Sequence, residues 1–218
     1  MDLLAWKNLP ASRRAAALRR PAQSAQPAIA AAVRAIVAAV RRDGDAALRR
    51  FTEKFDRVTL RTLRVTEAEF AAAEKSLSRA DLAALRTACR NIRRFHAAQR
   101  SKDLRVETQP GIVCEKTVRP IGRVGLYVPG GSAPLPSTAL MLGVPSQLAG
   151  NPVRVLCTPP DKNGRINPWI LCAARLCGIT EIYKVGGAQA IAAMAYGTAS
   201  IPKCDKLFGP RSEERRVG

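Results

Sequence analysis

The sequence predicts an α/β fold in which a helical N-terminal part precedes a parallel sheet with helices on both faces. Between Arg123 and Phe208, short apolar runs alternate with segments of helical periodicity, the order typical of parallel strands joined by right-handed crossovers. The apolar runs are almost continuous, which indicates strands covered on both faces. Amphipathic stripes recur through the first hundred residues, so helices are expected to dominate that part.

The N-terminal helices follow from apolar spacing and from the breaks between segments. Residues 11–20 are short, basic and helix-prone, and residues 21–27 are predicted to be a linker. A strong helix is expected over residues 28–42, where apolar residues recur at helical spacing. After an Asp-Gly-Asp break, residues 46–55 start another helix with Asp45 as a candidate cap.

Two capping boxes predict the next two helices. Thr66 and Glu69 have the spacing of such a box and open a helix through about Leu77. Ser78 and Asp81 repeat the pattern and open a longer helix that ends near residue 100. We interpret the apolar stripes of all these helices as core rather than as ligand contacts.

A hairpin is expected before the parallel sheet. The extended segments Leu104–Thr108 and Ile112–Val118 flank Gln109-Pro110-Gly111, which is a typical turn sequence. A domain boundary is predicted near Arg119-Pro120, just before the first parallel strand.

Four strands and three helices are predicted after that boundary. The predicted strands are Val124–Val128, Val153–Cys157, Glu181–Val185 and Lys206–Phe208. The predicted helices are Ser137–Ala149, Pro168–Cys177 and Ala188–Tyr196, the first with Ser137 or Thr138 as its cap. Ligands of an open parallel sheet bind at the carboxyl ends of its strands, so the loops there are the candidate site.

The glycine-rich loop after the first parallel strand does not match the usual nucleotide-binding patterns. The chain contains neither GxGxxG nor GxxxxGK[ST]. Gly130 and Gly131 would still let backbone N–H groups approach an anion near the start of the following helix. A tight turn without a ligand is the alternative, and these residues alone leave both open.

Composition and charge exclude some classes of protein. Hydrophobic residues make up 47% of the 218 residues, so a disordered chain is excluded. Residues 1–100 hold 21 Lys and Arg against 9 Asp and Glu, and the remainder holds 15 against 8. Because the net charge of +19 is spread along the chain rather than focused, a nucleic-acid partner is not expected.

The apolar runs, the N-terminus and the cysteine spacing indicate a cytoplasmic protein with reduced thiols. No apolar run reaches the roughly 18 residues that a membrane span needs, and the N-terminus is a poor export signal. The six cysteines show no CxxC spacing and no nearby histidine pair, so they are predicted to be reduced structural thiols, several of them buried in strands or helices.

Two long runs resemble the signature of histidinol dehydrogenases. The first runs from Val124 to Gly131 and on from Ala133 to Thr138, and the second runs almost uninterrupted from Glu181 to Thr198. The likeness covers roughly residues 36–210 and is strongest from Pro120 onward. It implies an incomplete Rossmann-like sheet and the N-terminal portion of an enzyme that oxidises L-histidinol to L-histidine through the aldehyde.

The resemblance also implies cofactors and contact residues. Tyr127 and Gln189 match the family's NAD contacts; without the resemblance, a buried core tyrosine with a satisfied hydroxyl and a helix-capping glutamine are the alternatives. The family's third NAD contact is the asparagine of Gly-Pro-Gly-Asn, and Arg211-Ser212 stands where Gly-Asn is expected. The family's zinc, held by a glutamine, an aspartate and two histidines, has no ligands here, and the glutamate–histidine pair is also absent. The single histidine, His96, is expected to be a surface or helix-packing residue.

The resemblance divides the chain into four parts. Residues 1–24 would form an arm that packs on the partner in a homodimer, with a frayed terminus as the alternative. Residues 25–120 would form a helix-rich part with the hairpin, and residues 121–210 the Rossmann-like domain. Residues 211–218 form an atypical tail, expected to be loosely placed, from a truncated or chimeric reading frame; a natural solvated terminus is the alternative.

The leading hypothesis is therefore a portion of an NAD- and zinc-dependent enzyme, itself without catalytic or zinc-binding residues and without activity alone. A non-catalytic α/β module that binds a nucleotide or a partner is the alternative. A basic nucleic-acid-binding protein is the third hypothesis.

Overall fold

The computed structural model describes residues 5–18, 27–130 and 134–210. The chain divides between Arg34 and Ala35 into two compact units. The first unit holds a 3-10 turn, Trp6–Asn8, then helix α1, Ala11–Leu18, and the beginning of α2. The predicted linker up to residue 26 and the tail after residue 210 lie outside the described residues, and the four-part domain division stays a prediction.

Helices account for most of the chain before the sheet, as predicted. The remaining helices are α2 (Pro27–Asp43), α3 (Asp45–Asp56), α4 (Glu67–Ser76), α5 (Arg79–Ala98), α6 (Pro136–Leu148), α7 (Pro168–Leu176) and α8 (Gly187–Tyr196). Both capping boxes are confirmed: the Thr66 hydroxyl accepts the Glu69 N–H, and Ser78 accepts the Asp81 N–H in the same way. No helix among the described residues is long and apolar enough to cross a membrane.

The cap predictions for α3 and α6 were wrong. Asp45 lies inside the first turn of α3, and Gly44, with a φ of +55°, occupies the cap position. Leu135 precedes α6 without a side-chain cap, so Ser137 and Thr138 lie within the helix. Pro136 begins α6 instead, where its missing N–H costs nothing because the first N–H groups of a helix have no internal partner.

The hairpin is confirmed. Strand β1, Leu104–Gln109, pairs antiparallel with β2, Ile112–Lys116, with an irregularity between Glu107 and Gln109. Every residue of both strands is exposed within this chain.

The parallel sheet has four strands and a reversal in its order. The strands are β3 (Arg123–Tyr127), β4 (Val153–Thr158), β5 (Glu181–Lys184) and β6 (Lys206–Phe208). Their spatial order is β5-β4-β3-β6 and every pair is parallel, which confirms the predicted fold class. Because the chain moves from β3 to β5 in one direction and then returns to place β6 on the other side of β3, the topological switch point lies between β3 and β6.

Helices cover both faces of the sheet. Leu126 and Ile182 point into a core built with α4, α5, α6 and α7. Val155 and Tyr183 point into a second core with α2, α3 and α8. This alternation along buried strands explains why the strands are apolar at nearly every position.

The cysteines belong mainly to these cores. All six thiols are free; Cys114 on β2 is exposed and the other five are buried. Burial raises the pKa of the Cys177 thiol to about 12 and that of Cys204 to about 11. These thiols therefore stay protonated and behave as small apolar side chains.

Candidate functional site

A cleft of about 550 Å³ opens at the carboxyl edge of the sheet. Its volume falls in the range of small-molecule sites, roughly 300–1,000 Å³. The ends of β3 and β4 and the first turn of α8 form its floor, and the end of α3 and the start of α7 add to its walls. The lining includes Phe55, Asp56, Tyr127, Asp161, Gly187 and Gln189.

Tyr127 fixes the beginning of α8 at this cleft. It is the last residue of β3 and half-buried, and its hydroxyl oxygen accepts a hydrogen bond from the Gly187 backbone N–H at 2.9 Å. Gly187 is the first residue of α8 and has a φ of +62°, a conformation that favours glycine. The Tyr127 hydroxyl is thus satisfied within the protein, as the core-tyrosine alternative expects, and the bond ties one strand end to the helix that carries Gln189.

Gln189 is buried with an unsatisfied oxygen. Its side chain is 1% exposed and lines the cleft, and its Oε1 atom has no hydrogen-bond partner among the described residues. No side-chain hydrogen bond caps α8, so the helix-capping alternative for Gln189 is wrong. Buried polar groups of proteins are almost always paired, so an orphaned amide oxygen at a cleft indicates a partner supplied from outside.

The glycines beside the cleft serve close packing. A Cβ atom on Gly130 would lie 2.5 Å from Cγ of Pro159, and one on Gly186 would lie 2.6 Å from Cβ of the same proline. The loops after β3, β4 and β5 therefore meet at Pro159. This packing favours the tight-turn interpretation of Gly130, while Gly131 lies outside the described residues.

A second hollow of about 470 Å³ adjoins the cleft at the switch point. Tyr127 and Gly187 line both spaces, and the second hollow continues to Ile191, Phe208 and Pro210. Dinucleotides lie across the switch point of this class of sheet. The two adjoining hollows therefore provide room on either side of Tyr127 for the two halves of an elongated ligand.

Sequence reasoning missed two residues at the end of α3. Phe55 was assigned to the core face of its helix, but it is 50% exposed, stacks on Phe51 and lines the cleft. Asp56, its neighbour, has a buried Oδ2 atom without a hydrogen-bond partner among the described residues. Burial raises the pKa of the Asp56 carboxyl.

The lysine at the end of β5 is paired with a carboxylate. Lys184 ends β5 and is 7% exposed, and its Nζ lies 3.0 Å from Oε1 of Glu69. Burial opposes ionisation of Glu69, but hydrogen bonds from Thr66 and Lys184 outweigh it and lower the pKa of that carboxyl. Lysine, arginine and histidine are absent from the cleft lining in the described part of the chain.

The described residues do not form a metal centre. No three His, Cys, Asp or Glu side chains in the ranges 5–18, 27–130 and 134–210 converge on a point that could hold a metal ion. His96 lies on α5 with its ring edge-on to Phe95, and it lines a hollow other than the cleft. It is half-buried on α5, which agrees with the prediction of a surface or helix-packing residue.

The chain is similar to histidinol dehydrogenases in family, sequence and structure. The family model described as histidinol dehydrogenase matches residues 18–213. Histidinol dehydrogenase of Xanthomonas euvesicatoria is 56% identical over 96% of this chain and 49% of its own length, and that of Photobacterium profundum is 55% identical over 96% and 46%.

A solved structure of the same family is also similar to this chain. The crystal structure of histidinol dehydrogenase from Elizabethkingia anophelis superposes with a TM-score of 0.88 and 45% identity, over 94% of this chain and 47% of that one. The chain therefore spans about half the length of the relatives that it matches.

Proposed function

This chain belongs to the histidinol dehydrogenase family, and from that premise we propose that it is the NAD-binding portion of an enzyme that oxidises L-histidinol to L-histidine. Because the chain spans about half the length of its relatives, the whole reaction is a proposal from family likeness. The cytoplasmic location, the homodimer and the N-terminal arm on the partner subunit are proposals on the same ground.

The orphaned Oε1 atom of Gln189 is the observation that carries the proposal. A glutamine amide both donates and accepts hydrogen bonds, and a dinucleotide offers amide, ribose and phosphate groups of both kinds. Tyr127 lies between the two hollows and presents its ring at the same edge. The buried amide and the strand-end tyrosine fit NAD, which would accept the hydride removed from the alcohol carbon.

The roles of these side chains in the cleft differ. Tyr127 holds the N-terminus of α8 in place through Gly187 and offers a ring face to the cofactor. Gln189 would orient the cofactor through its amide. The apolar walls, including Ile36 and Ile170, exclude water from one side of the bound molecule.

Zinc chemistry is not assigned to these residues. The described side chains do not fit a zinc ion, and the whole sequence contains one histidine, where the family uses two as ligands and another with a glutamate for proton transfer. We expect the isolated chain to form no NADH from histidinol in the presence of zinc. Sustained NADH formation by pure protein would contradict this and would place the catalytic groups within these residues.

The cofactor assignment is tested by titrating NAD into the isolated chain and following amide chemical shifts. Millimolar binding is expected, which corresponds to about −4 kcal/mol. Gln189→Ala should weaken binding about fivefold, because loss of one side-chain hydrogen bond costs about 1 kcal/mol. Tyr127→Phe keeps the ring but loses the hydrogen bond that holds Gly187, so it should weaken binding by displacing the start of α8. Thermal melts serve as the control that both variants are folded.

Two results would overturn the assignment. One is a set of NAD-dependent shifts that map away from the ends of β3 and the start of α8. The other is unchanged affinity in both variants when their melts show that they are folded.

A further inference from the structure

Asp56 stands at the cleft under conditions that disfavour a carboxylate. It is the last residue of α3, where the negative end of the helix dipole repels an anion. Its Oδ2 atom is buried without a partner among the described residues, and burial raises the pKa of the group. Each of these features costs stability in the ligand-free protein, and none of the described contacts compensates for them.

The cleft around Asp56 has a uniform sign of charge. Asp161 is the other acidic residue of the described lining, and its Oδ1 atom accepts the backbone N–H groups of Asn163 and Arg165 at 2.8 Å each. Asp161 thus holds its own turn together. Neither carboxylate has a cationic partner in the lining, so a ligand that brings a further negative charge here meets repulsion.

The position of Asp56 relative to the sheet indicates which part of a dinucleotide it would meet. The cleft lies at the carboxyl ends of β3 and β4 and beside the start of α8, which follows β5, so it belongs to the first half of the sheet; the hollow at the switch point lies beyond Tyr127. Doubly wound sheets hold the adenosine half of NAD over this first half, and an acidic side chain there binds the ribose hydroxyls. In this chain Asp56 reaches the cleft from α3, which precedes the sheet in sequence.

We propose that Asp56 selects the cofactor, accepting hydrogen bonds from the adenosine ribose hydroxyls of NAD and repelling the 2′-phosphate of NADP. The proposal rests on the proposed function, because it presupposes that a nicotinamide dinucleotide occupies the cleft. It goes beyond that function by assigning discrimination between the two cofactors to a residue outside the sheet. The buried Gln189 amide is the independent sign that a ligand belongs here.

The test compares NAD and NADP binding in four versions of the chain by chemical-shift titration. These are the wild type, Asp56→Asn, Asp56→Glu and the matched control Glu53→Gln. Glu53 lies one turn earlier on α3, is exposed and does not line the cleft, so Glu53→Gln removes the same charge without touching the site. Asp56→Asn keeps the shape of the side chain, and Asp56→Glu keeps its charge.

Wild type and Glu53→Gln should prefer NAD over NADP by about tenfold or more, the scale of hydrogen bonds to a charged group. Asp56→Asn should bind NAD about tenfold more weakly and lose most of the preference, while Asp56→Glu should still reject NADP. An Asp56→Asn variant that binds NAD at Tyr127 and Gln189 with the wild-type preference overturns this inference and leaves the proposed function standing. A wild-type chain in which NAD shifts neither Tyr127 nor Gln189 overturns both.

Discussion

Some residues of the cleft could be predicted from the sequence and others could not. Tyr127 and Gln189 could be selected because each lies at the carboxyl end of a strand and matches a family signature. Asp56 could not, because an aspartate near a helix end is ordinary in composition. It shares the cleft with the residues from Thr158 to Asp161, which lie about a hundred residues later in the chain. Such contacts are set by tertiary packing and leave no local pattern.

Replacing Asp56 should make the ligand-free protein more stable near neutral pH. The folded state raises the pKa of this carboxyl, so the folded protein holds the proton more tightly than the unfolded chain does. The tighter proton binding stabilises the folded wild type. This stabilisation is complete below the unfolded pKa of about 3.9 and is lost as the pH rises through the folded pKa. Asp56→Asn should therefore gain roughly 0.5 kcal/mol at pH 7, a value already reduced for solvent screening.

Urea unfolding at pH 7 and at about pH 4 measures this gain. The gain should shrink toward the lower pH, because the folded wild-type carboxyl takes up its proton before the unfolded one does. Glu53→Gln is the control, and its stability should stay within about 0.5 kcal/mol of wild type, as for surface changes. A loss of stability in Asp56→Asn at pH 7 would show that the carboxylate makes a favourable contact in the ligand-free fold.

At the scale of elements, the prediction succeeded where a local signal determined the structure. Helices α4 and α5 begin where their capping boxes place them, because those hydrogen bonds join residues three apart. The beginnings of α3 and α6 were misplaced because backbone preferences of Gly44 and Pro136 determine them instead of a side-chain cap. The close packing of Gly130 depends on Pro159, a neighbour in space from the next loop that no local pattern indicates.

The packing of α8 on β3 depends on a missing side chain at Gly125. A Cβ atom there would lie 2.5 Å from Cδ2 of Leu207 and 2.8 Å from Sδ of Met194, both shorter than real contacts. Gly125→Ala should therefore push α8 and β6 away from β3 and destabilise the protein by about 1–3 kcal/mol. Urea unfolding of the variant measures the cost.

Leu207→Ala provides the matched background for that measurement. Removing the Leu207 side chain opens the nearest part of the space, so Gly125→Ala should cost less there than in the wild type, a coupling that a double-mutant cycle reports. Equal costs in both backgrounds would locate the strain elsewhere.

At the scale of the whole molecule, the class of sheet and the direction of its strands could be predicted from the sequence. Runs that are apolar at every position require cover on both faces, and helices between successive runs require parallel pairing. The division between Arg34 and Ala35 was not anticipated, because helix α2 runs through it without a break in its apolar pattern. The place of β6 beside β3 was also beyond local patterns, since strand order reflects long-range packing.

Ligand binding should appear in the stability of the entire fold. If NAD binds the folded chain alone with a millimolar dissociation constant, 10 mM NAD stabilises it by RT ln(1 + [L]/Kd), about 1.4 kcal/mol. For a chain of 218 residues this raises the melting temperature by about 3–6 °C. The cleft joins β3, β4, α3 and α8, so a ligand there opposes unfolding of both cores at once.

Thermal melts with 10 mM NAD, nicotinamide or sodium phosphate test this expectation. Nicotinamide alone should produce a smaller shift than NAD, because it fills one end of the site, and phosphate controls for charge screening on a chain of net charge +19. Gln189→Ala should lose about 1 kcal/mol of the binding free energy, which reduces the NAD-dependent shift to about 1–2 °C. A shift that phosphate reproduces, or one that Gln189→Ala retains in full, would mean that the stabilisation comes from ions at the surface and not from a cofactor in the cleft.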